Sequence, residues 1–270
     1  MKLAVLGPKG TFTELAALKY RRDANIIYGK GIYKTLLSVK EGKADEAVVP
    51  IENLLEGTIR ETLDSLPKLD LKILAEFDMP IHHCLAKHRD TLEIKIIMSY
   101  TNAIKQCSNY LHEHYDNTEL KEADSTGEAM RLVAEKEIPD SAAIGLRYAA
   151  EFYGLELIAL NIEDNHDNLT RFVVVGKNGS NKNGTKTSIV ITPYKDYAGL
   201  LYKLTSEFAN RRINLCKIES RPTEKKLGEY MFYLDFDGDK NDEIIKEVLE
   251  VTKQYGDVKL LGSYPHLEIK

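Results

Sequence analysis

A chain of 270 residues accommodates one large domain or two of ordinary size, and 43% hydrophobic with 29% charged residues is the balance of a globular protein with a packed core. A formal net charge of -5 supplies no basic field to attract nucleic acid. No apolar run reaches the ~20 residues that span a bilayer, and Met1-Lys2 leads into a strand rather than a signal sequence. The expectation is a cytosolic protein with a small-molecule partner, binding neither nucleic acid nor membrane. Its cysteines, Cys84, Cys107 and Cys216, are odd in number and form no Cys-x-x-Cys pair, so buried thiols are expected.

Short apolar runs alternate with amphipathic stretches from the start. The pattern predicts a strand over 3–6, a helix over 13–22, a strand over 26–28, a helix over 32–40 and a strand over 47–49. This is the rhythm of an α/β sheet with helices on its faces. The β-rich stretch 71–87, which contains Pro80, is read as a passage into a second lobe. There the rhythm resumes with a strand over 94–98, a helix over 102–114, a strand over 119–121, a helix over 125–137 and a strand over 142–144. Runs 156–160 and 171–175 are expected to return to the first lobe. The expected division is lobe 1 over 1–78 and 160–176 and lobe 2 over 79–159, with a ligand cleft between them. From Gly176 to Lys186 no residue is apolar, and 177–186 is expected to be a linker. Beyond it, a strand over 188–192, a helix over 198–211, strands over 213–219 and 229–235, a helix over 242–255 and a strand over 258–262 give β-α-β-β-α-β. That is the ferredoxin-like order, expected as a separate domain over 187–270.

The residues able to do chemistry stand at the ends of these elements. Asn168-Leu169-Thr170-Arg171-Phe172 runs into Val173-Val174-Val175, which offers a hydroxyl, a guanidinium and an aromatic ring where a strand begins. That is an anion site with a donor beside it, although threonine and phenylalanine are also ordinary strand residues. Thr11-x-x-Glu14, Thr58-x-x-Glu61 and Ser125-x-x-Glu128 each fit the capping box. They read either as three well-capped helices or as three helix N-termini converging on one cleft to hold carboxylates. The glycines of Gly7-Pro8-Lys9-Gly10 permit close backbone approach, yet the segment is neither a Walker loop nor a dinucleotide fingerprint. Val49-Pro50-Ile51-Glu52-Asn53 ends a strand and aims two polar side chains at a loop. His82-His83-Cys84 and His88 carry ligand atoms, but neighbouring strand residues face opposite ways, so no shared metal is expected.

Taken in order, these segments resemble prephenate dehydratases over nearly the whole chain. Gly7-Pro8-Lys9-Gly10-Thr11-Phe12-Thr13 resembles that family's opening motif, and Val49-Pro50-Ile51-Glu52-Asn53 with Glu56-Gly57 its second. Ser125-Thr126-Gly127-Glu128-Ala129 stands for its Ser-Thr-Ala-Glu-Ala, and Asn168-Leu169-Thr170-Arg171-Phe172 for its Asn-x-Thr-Arg-Phe signature. Departures are Ser99-Tyr100-Thr101-Asn102 in place of Ser-His-Pro-Gln, Leu54 in place of a hydroxyl residue, and Ala198-Gly199-Leu200 in place of Gly-Ala-Leu. The chain resembles the form without a fused chorismate mutase.

The resemblance implies a carbon–oxygen lyase converting prephenate to phenylpyruvate, CO2 and water in L-phenylalanine formation, with no cofactor and no metal. It implies Thr170 as donor to the leaving hydroxyl; Asn53, Ser99 and Gln106, each able to donate and accept, are expected to complete a polar network, with Glu52 as a general acid if burial raises its pKa. Arg171, Phe172, Thr11, Ser125 and Thr126 are the expected substrate-binding residues. The C-terminal unit resembles an ACT domain, which implies an effector site for L-phenylalanine at Ala198, Gly199, Leu200, Leu201, Asn214, Glu219, Ser220, Arg221 and Pro222. It also implies a homodimer or a dimer of dimers. Arogenate as substrate and a non-catalytic amino-acid sensor are the alternatives.

Overall fold

The computed structural model describes residues 1–180, 184–223 and 228–269, so 181–183 of the expected linker lie outside the described residues. The chain opens with β1 (Lys2–Leu6), α1 (Phe12–Tyr20), β2 (Asn25–Gly29), α2 (Ile32–Lys40), β3 (Glu46–Asn53), β4 (Gly57–Thr58), α3 (Arg60–Leu69) and β5 (Lys72–Pro80). It continues through β6 (Cys84–Lys87), β7 (Ile96–Ser99), α4 (Thr101–Gln106), α5 (Ser108–Tyr115), β8 (Glu119–Glu122), α6 (Thr126–Ala134), β9 (Ser141–Gly145), α7 (Arg147–Phe152), β10 (Glu156–Leu160) and β11 (Leu169–Gly176). The last elements are β12 (Lys186–Pro193), α8 (Leu200–Asn210), β13 (Leu215–Pro222), β14 (Tyr230–Asp237), α9 (Glu243–Thr252) and β15 (Gly256–Tyr264). Packing divides the chain into a first unit of Met1–Thr62 and Asp78–Phe172 with the chain's end, and a second of Leu63–Phe77 and Val173–Glu268. The division therefore falls inside α3, β5 and β11 rather than at the linker.

The first unit holds two sheets. One is built on β2-β1-β3, with β4 beside β3; β1 runs parallel to β2 and β3, and α1 and α2 pack on these strands. Leu3, Val5, Val48 and Val49 are fully buried, as expected of strands covered on both faces. The other sheet has the order β10-β6-β9-β7-β8. Its alternation is direct: Cys84, Ala86, Met98 and Ala143 face a core with α6 and α7, while Leu85, Ile97, Ala142 and Ile144 face a core with Ala103, Cys107 and Leu111.

Three expectations are corrected here. The strand at 156–160 does not return to the first sheet, because β10 pairs antiparallel with β6 at the edge of the second. The single helix over 102–114 is two helices, broken at Cys107, whose backbone leaves the helical region at φ -114 and ψ 20. Cys107 and Leu111 turn into the same core, and α5 restarts on a distant cap, since Asp164 accepts from the Ser108 hydroxyl and the Asn109 amide. Cys84 and Cys107 are buried but Cys216 is exposed, because it sits on an outward position of β13.

The second unit carries the β-α-β-β-α-β order in an antiparallel sheet, β13-β14-β12-β15. Ile189, Ile191, Leu234 and Phe236 face α8 and α9 through Leu204, Phe208, Ile245 and Val248. Segment Leu63–Phe77 is held to this sheet by backbone carbonyls. The Tyr233 hydroxyl donates to Leu63 O, Lys259 to Pro67 O, and Lys72 to Leu260 O. Two ion pairs join it as well, Arg221 with Asp64 and Lys186 with the buried Glu76.

Candidate active site

The site is assembled at the strand ends of the first unit. Asn53 terminates β3, and its Oδ1 accepts from the amides of Leu55 and Glu56 at 3.0 and 3.1 Å, closing a turn of the kind asparagine favours. Gly57, at φ 75, then reverses the chain so that β4 pairs back on β3. This leaves the Asn53 Nδ2 group to reach across to β11. It lies 2.8 Å from Thr170 Oγ1, 3.0 Å from Asn168 Oδ1 and 3.2 Å from the Leu169 carbonyl. Because Asn53 donates to the Thr170 oxygen, the threonine's own proton is left to point elsewhere, and the hydroxyl is polarised toward donation.

The network continues through Asn168, the expected Gln106, and His83, which the sequence offers only as a metal-ligand type. Asn168 Nδ2 donates to Gln106 Oε1 at 3.2 Å, which identifies that atom as the amide oxygen, so His83 at 3.2 Å must donate to it from Nε2. Gln106 Nε2 is turned toward Glu56 Oε1, at 3.4 Å. Burial lowers the His83 pKa and keeps the ring neutral, and the bare Nδ1 has no hydrogen-bond partner. Behind it the buried Glu163 carboxylate accepts from the His83 amide at 2.8 Å and stands 2.7 Å from His82 Nδ1. Burial works to raise the Glu163 pKa, but these hydrogen bonds outweigh it and the net shift is downward. Asn168 was visible in its motif, whereas nothing local marked His83 for this role or Glu163 at all.

Two helix starts meet above the β1–α1 turn. Thr11 caps α1 by accepting from the Glu14 amide, and Glu14 returns to the Gly10 amide at 2.6 Å rather than to its cap residue. The other Glu14 oxygen accepts from the Tyr28 hydroxyl; burial first, and then this bond, raise that phenol's pKa. Ser125 caps α6 through the Glu128 amide, but Glu128 itself turns to Arg131. Each box is thus half formed. A Cβ on Gly127, in the first turn of α6, would lie 3.0 Å from the Lys9 carbonyl, so both helix starts share one place. Phe12, the first residue of α1, meets the His83 ring edge-on at 5.5 Å. The third expected box is absent: Thr58 lies in β4 and α3 begins at Arg60.

Other expected site residues are separated by strand alternation. Glu52 and Arg171 precede and follow the Asn53–Thr170 pair, so they face the opposite side of the sheet. Arg171 is there flanked by Glu52 at 3.3 Å and Asp78 at 3.6 Å. The hydroxyl and guanidinium are not presented together, and Glu52 is an ion-pair partner rather than an acid aimed at Thr170. Phe172 is 1% exposed and belongs to the core. Ser99 is fully buried, and its hydroxyl donates to the Ile144 carbonyl at 2.7 Å, because β7 is paired to β9 one residue earlier. Burial pushes the Cys84 thiol up to about 12 and raises Cys107 further, so neither is a thiolate nucleophile at neutral pH. Among the described residues no group of three or more His, Cys, Asp or Glu gathers to hold a metal.

In the second unit Gly199 caps α8 in the left-handed region at φ 89, between Ala198 and the pair Leu200 and Leu201. Leu200 and Ser220 line one cavity of about 390 Å3. Asn214, at the other end of β13, donates to Asp237 and borders a different cavity. The Arg221 guanidinium is engaged by both Asp64 oxygens, at 2.7 and 3.3 Å. Glu219 lies 4.0 Å from Lys217, and Pro222 ends the strand.

Known proteins resemble this chain along nearly its whole length. Residues 3–180 match the prephenate dehydratase family. The prephenate dehydratase of Methanocaldococcus jannaschii is 39% identical over 267 residues, covering 96% of both chains. The bifunctional chorismate mutase/prephenate dehydratase of Aquifex aeolicus is 36% identical over 98% of this chain and 74% of its own. The crystal structure of an Arthrobacter aurescens prephenate dehydratase in complex with L-Phe superposes with a TM-score of 0.91 at 35% identity, covering 98% of this chain and 90% of that one. On sequence and fold alike, the chain belongs to the prephenate dehydratase family.

Proposed function

We propose that this protein converts prephenate to phenylpyruvate in the cytoplasm, as a carbon–oxygen lyase, with Thr170 as the donor to the departing hydroxyl. The observation that carries this assignment is the 2.8 Å bond by which Asn53 donates to Thr170 Oγ1, leaving the hydroxyl proton for the substrate. As the ring carboxylate leaves as CO2, its bonding electrons enter the ring and expel the C4 hydroxyl. One proton is taken up and water departs. Aromatisation drives the reaction, and the protein's part is to orient the hydroxyl and stabilise charge on it. Threonine is a poor proton source, so Thr170 acts by a preorganised hydrogen bond while the proton comes from solvent. Gln106 and Asn168 hold the network in register. The amides of Phe12 and Thr13 in α1, and of Thr126 and Gly127 in α6, suit the substrate's carboxylates.

The C-terminal sheet is proposed as an ACT domain, the regulatory domain over 187–270, that takes L-phenylalanine as feedback inhibitor. The cavity lined by Leu200 and Ser220 supports the reading. Asn214 stands at the far end of β13, so a site using both ends draws on two chains paired as a dimer or as a dimer of dimers. The test is purified protein with prephenate at neutral pH, following phenylpyruvate by absorbance with and without L-phenylalanine. Turnover suppressed by L-phenylalanine supports both parts. No turnover from folded protein rejects the first, and turnover indifferent to L-phenylalanine rejects the second.

A further inference from the structure

The first unit holds a cavity of about 470 Å3 that none of Asn53, Gln106, Asn168 or Thr170 lines. His83 is the wall between the two places. One ring nitrogen is committed to Gln106, the ring is 3% exposed, and Nδ1 has no partner although its residue lines the cavity. A buried acceptor left unsatisfied is destabilising, and a donor entering the cavity would offset that. Leu15, Met79 and Leu146 supply apolar wall. Lys19 and Arg147 bring two positive charges against one carboxylate, Glu151, which Arg147 already holds at 2.6 Å. The surplus is therefore one positive charge.

We infer that this cavity is a second small-molecule site, taking an α-amino acid with an apolar side chain. Its carboxylate meets Lys19 and Arg147, its side chain lies on Leu15, Met79 and Leu146, and its ammonium donates to His83 Nδ1. The site is separate from both the Thr170 network and the cavity at Ser220. Occupancy would reach the network through one ring, since the nitrogen that orients Gln106 and the one that accepts the ammonium belong to the same imidazole.

The test is calorimetric titration of the full chain with L-methionine and with its keto acid, 4-methylthio-2-oxobutanoate, which lacks the ammonium. The charge reversal Lys19→Glu with Arg147→Glu alters exposed side chains and should leave the fold intact, which circular dichroism checks. L-Methionine should bind the wild-type chain saturably and the double variant about tenfold or more weaker. Binding should be unchanged in Ser220→Arg, and the keto acid should bind more weakly than the amino acid. Absence of saturable binding by the wild type overturns the inference, as does binding lost in Ser220→Arg but kept in the double variant. Equal binding of the keto acid removes His83 from it.

Discussion

Thr170→Val separates the catalytic role of the hydroxyl from its structural one. The substitution keeps the branched shape and the strand propensity and removes only the oxygen's bonding. Asn53 Nδ2 has two hydrogens and three acceptors, so losing Thr170 Oγ1 leaves Asn168 Oδ1 and the Leu169 carbonyl to satisfy it. The stability loss is then that of one net hydrogen bond, about 0.5–1.5 kcal/mol. The rate loss is larger, because a donor preorganised for developing charge is worth on the order of 10²–10³ in kcat, or ~2.7–4 kcal/mol. Phenylpyruvate formation gives kcat and KM, and urea denaturation gives the stability. The expected result is a fall of about 10²–10³ in kcat with little change in KM. Thr170→Ser should recover most of the rate. A Val variant within about tenfold of wild type would refute the assignment of Thr170 as donor.

Asn53→Asp has the same size but turns a carboxylate toward the Asn168 and Leu169 carbonyl oxygens and draws the Thr170 proton to itself, so kcat should fall at least as far as in Thr170→Val and the melting temperature should drop too. His83→Gln tests the buried imidazole. Burial depresses the folded pKa below the ordinary 6.5, so the unfolded chain binds more protons, and the neutral ring's contribution is whole above 6.5 and lost as pH falls below it. Urea midpoints should therefore fall between about pH 6.5 and 5 more steeply in wild type than in the variant; parallel curves would show that His83 does not titrate this way. Glu163, with its lowered pKa, adds acid sensitivity only below 4.5. Gly127→Ala forces a Cβ to 3.0 Å from the Lys9 carbonyl and 3.2 Å from Gly10 C, so the helix starts must part and KM for prephenate should rise several-fold; unchanged KM would detach them from the substrate.

How much of this was legible in the sequence depended on distance along the chain. The strand periods, the caps at Thr11 and Ser125, the β-α-β-β-α-β order and the pairing of Asn53 with Thr170 all lie in motifs that local pattern or family resemblance exposes. The period of two was also sufficient to put Glu52 and Arg171 on the face opposite Asn53 and Thr170, yet the motif's contiguity suggested a single cluster. Other features are set from far away and leave no local mark. Asp164 ends one helix's reach and begins the next, 56 residues from Ser108. His83 is oriented by Gln106 across 23 residues, and Ser99 is committed to a neighbouring strand across 45. Thr58 fits a capping box by spelling alone, because the tight turn at Gly57 draws it into a strand instead.

The interleaving of the two packing units bears on how such a protein can be cut, fused or inherited. Leu63–Phe77 packs with the C-terminal sheet, while the chain on either side of it belongs with the N-terminal sheets. No single scission yields either unit whole. A truncation after residue 180 strips the partners from Asp64, Glu76, Leu63 and Pro67 and uncovers the side of this helix and strand that meets the C-terminal sheet. Recombination that swaps the C-terminal half for another must bring the matching insert with it, so new sequence is most readily joined outside the chain's own ends.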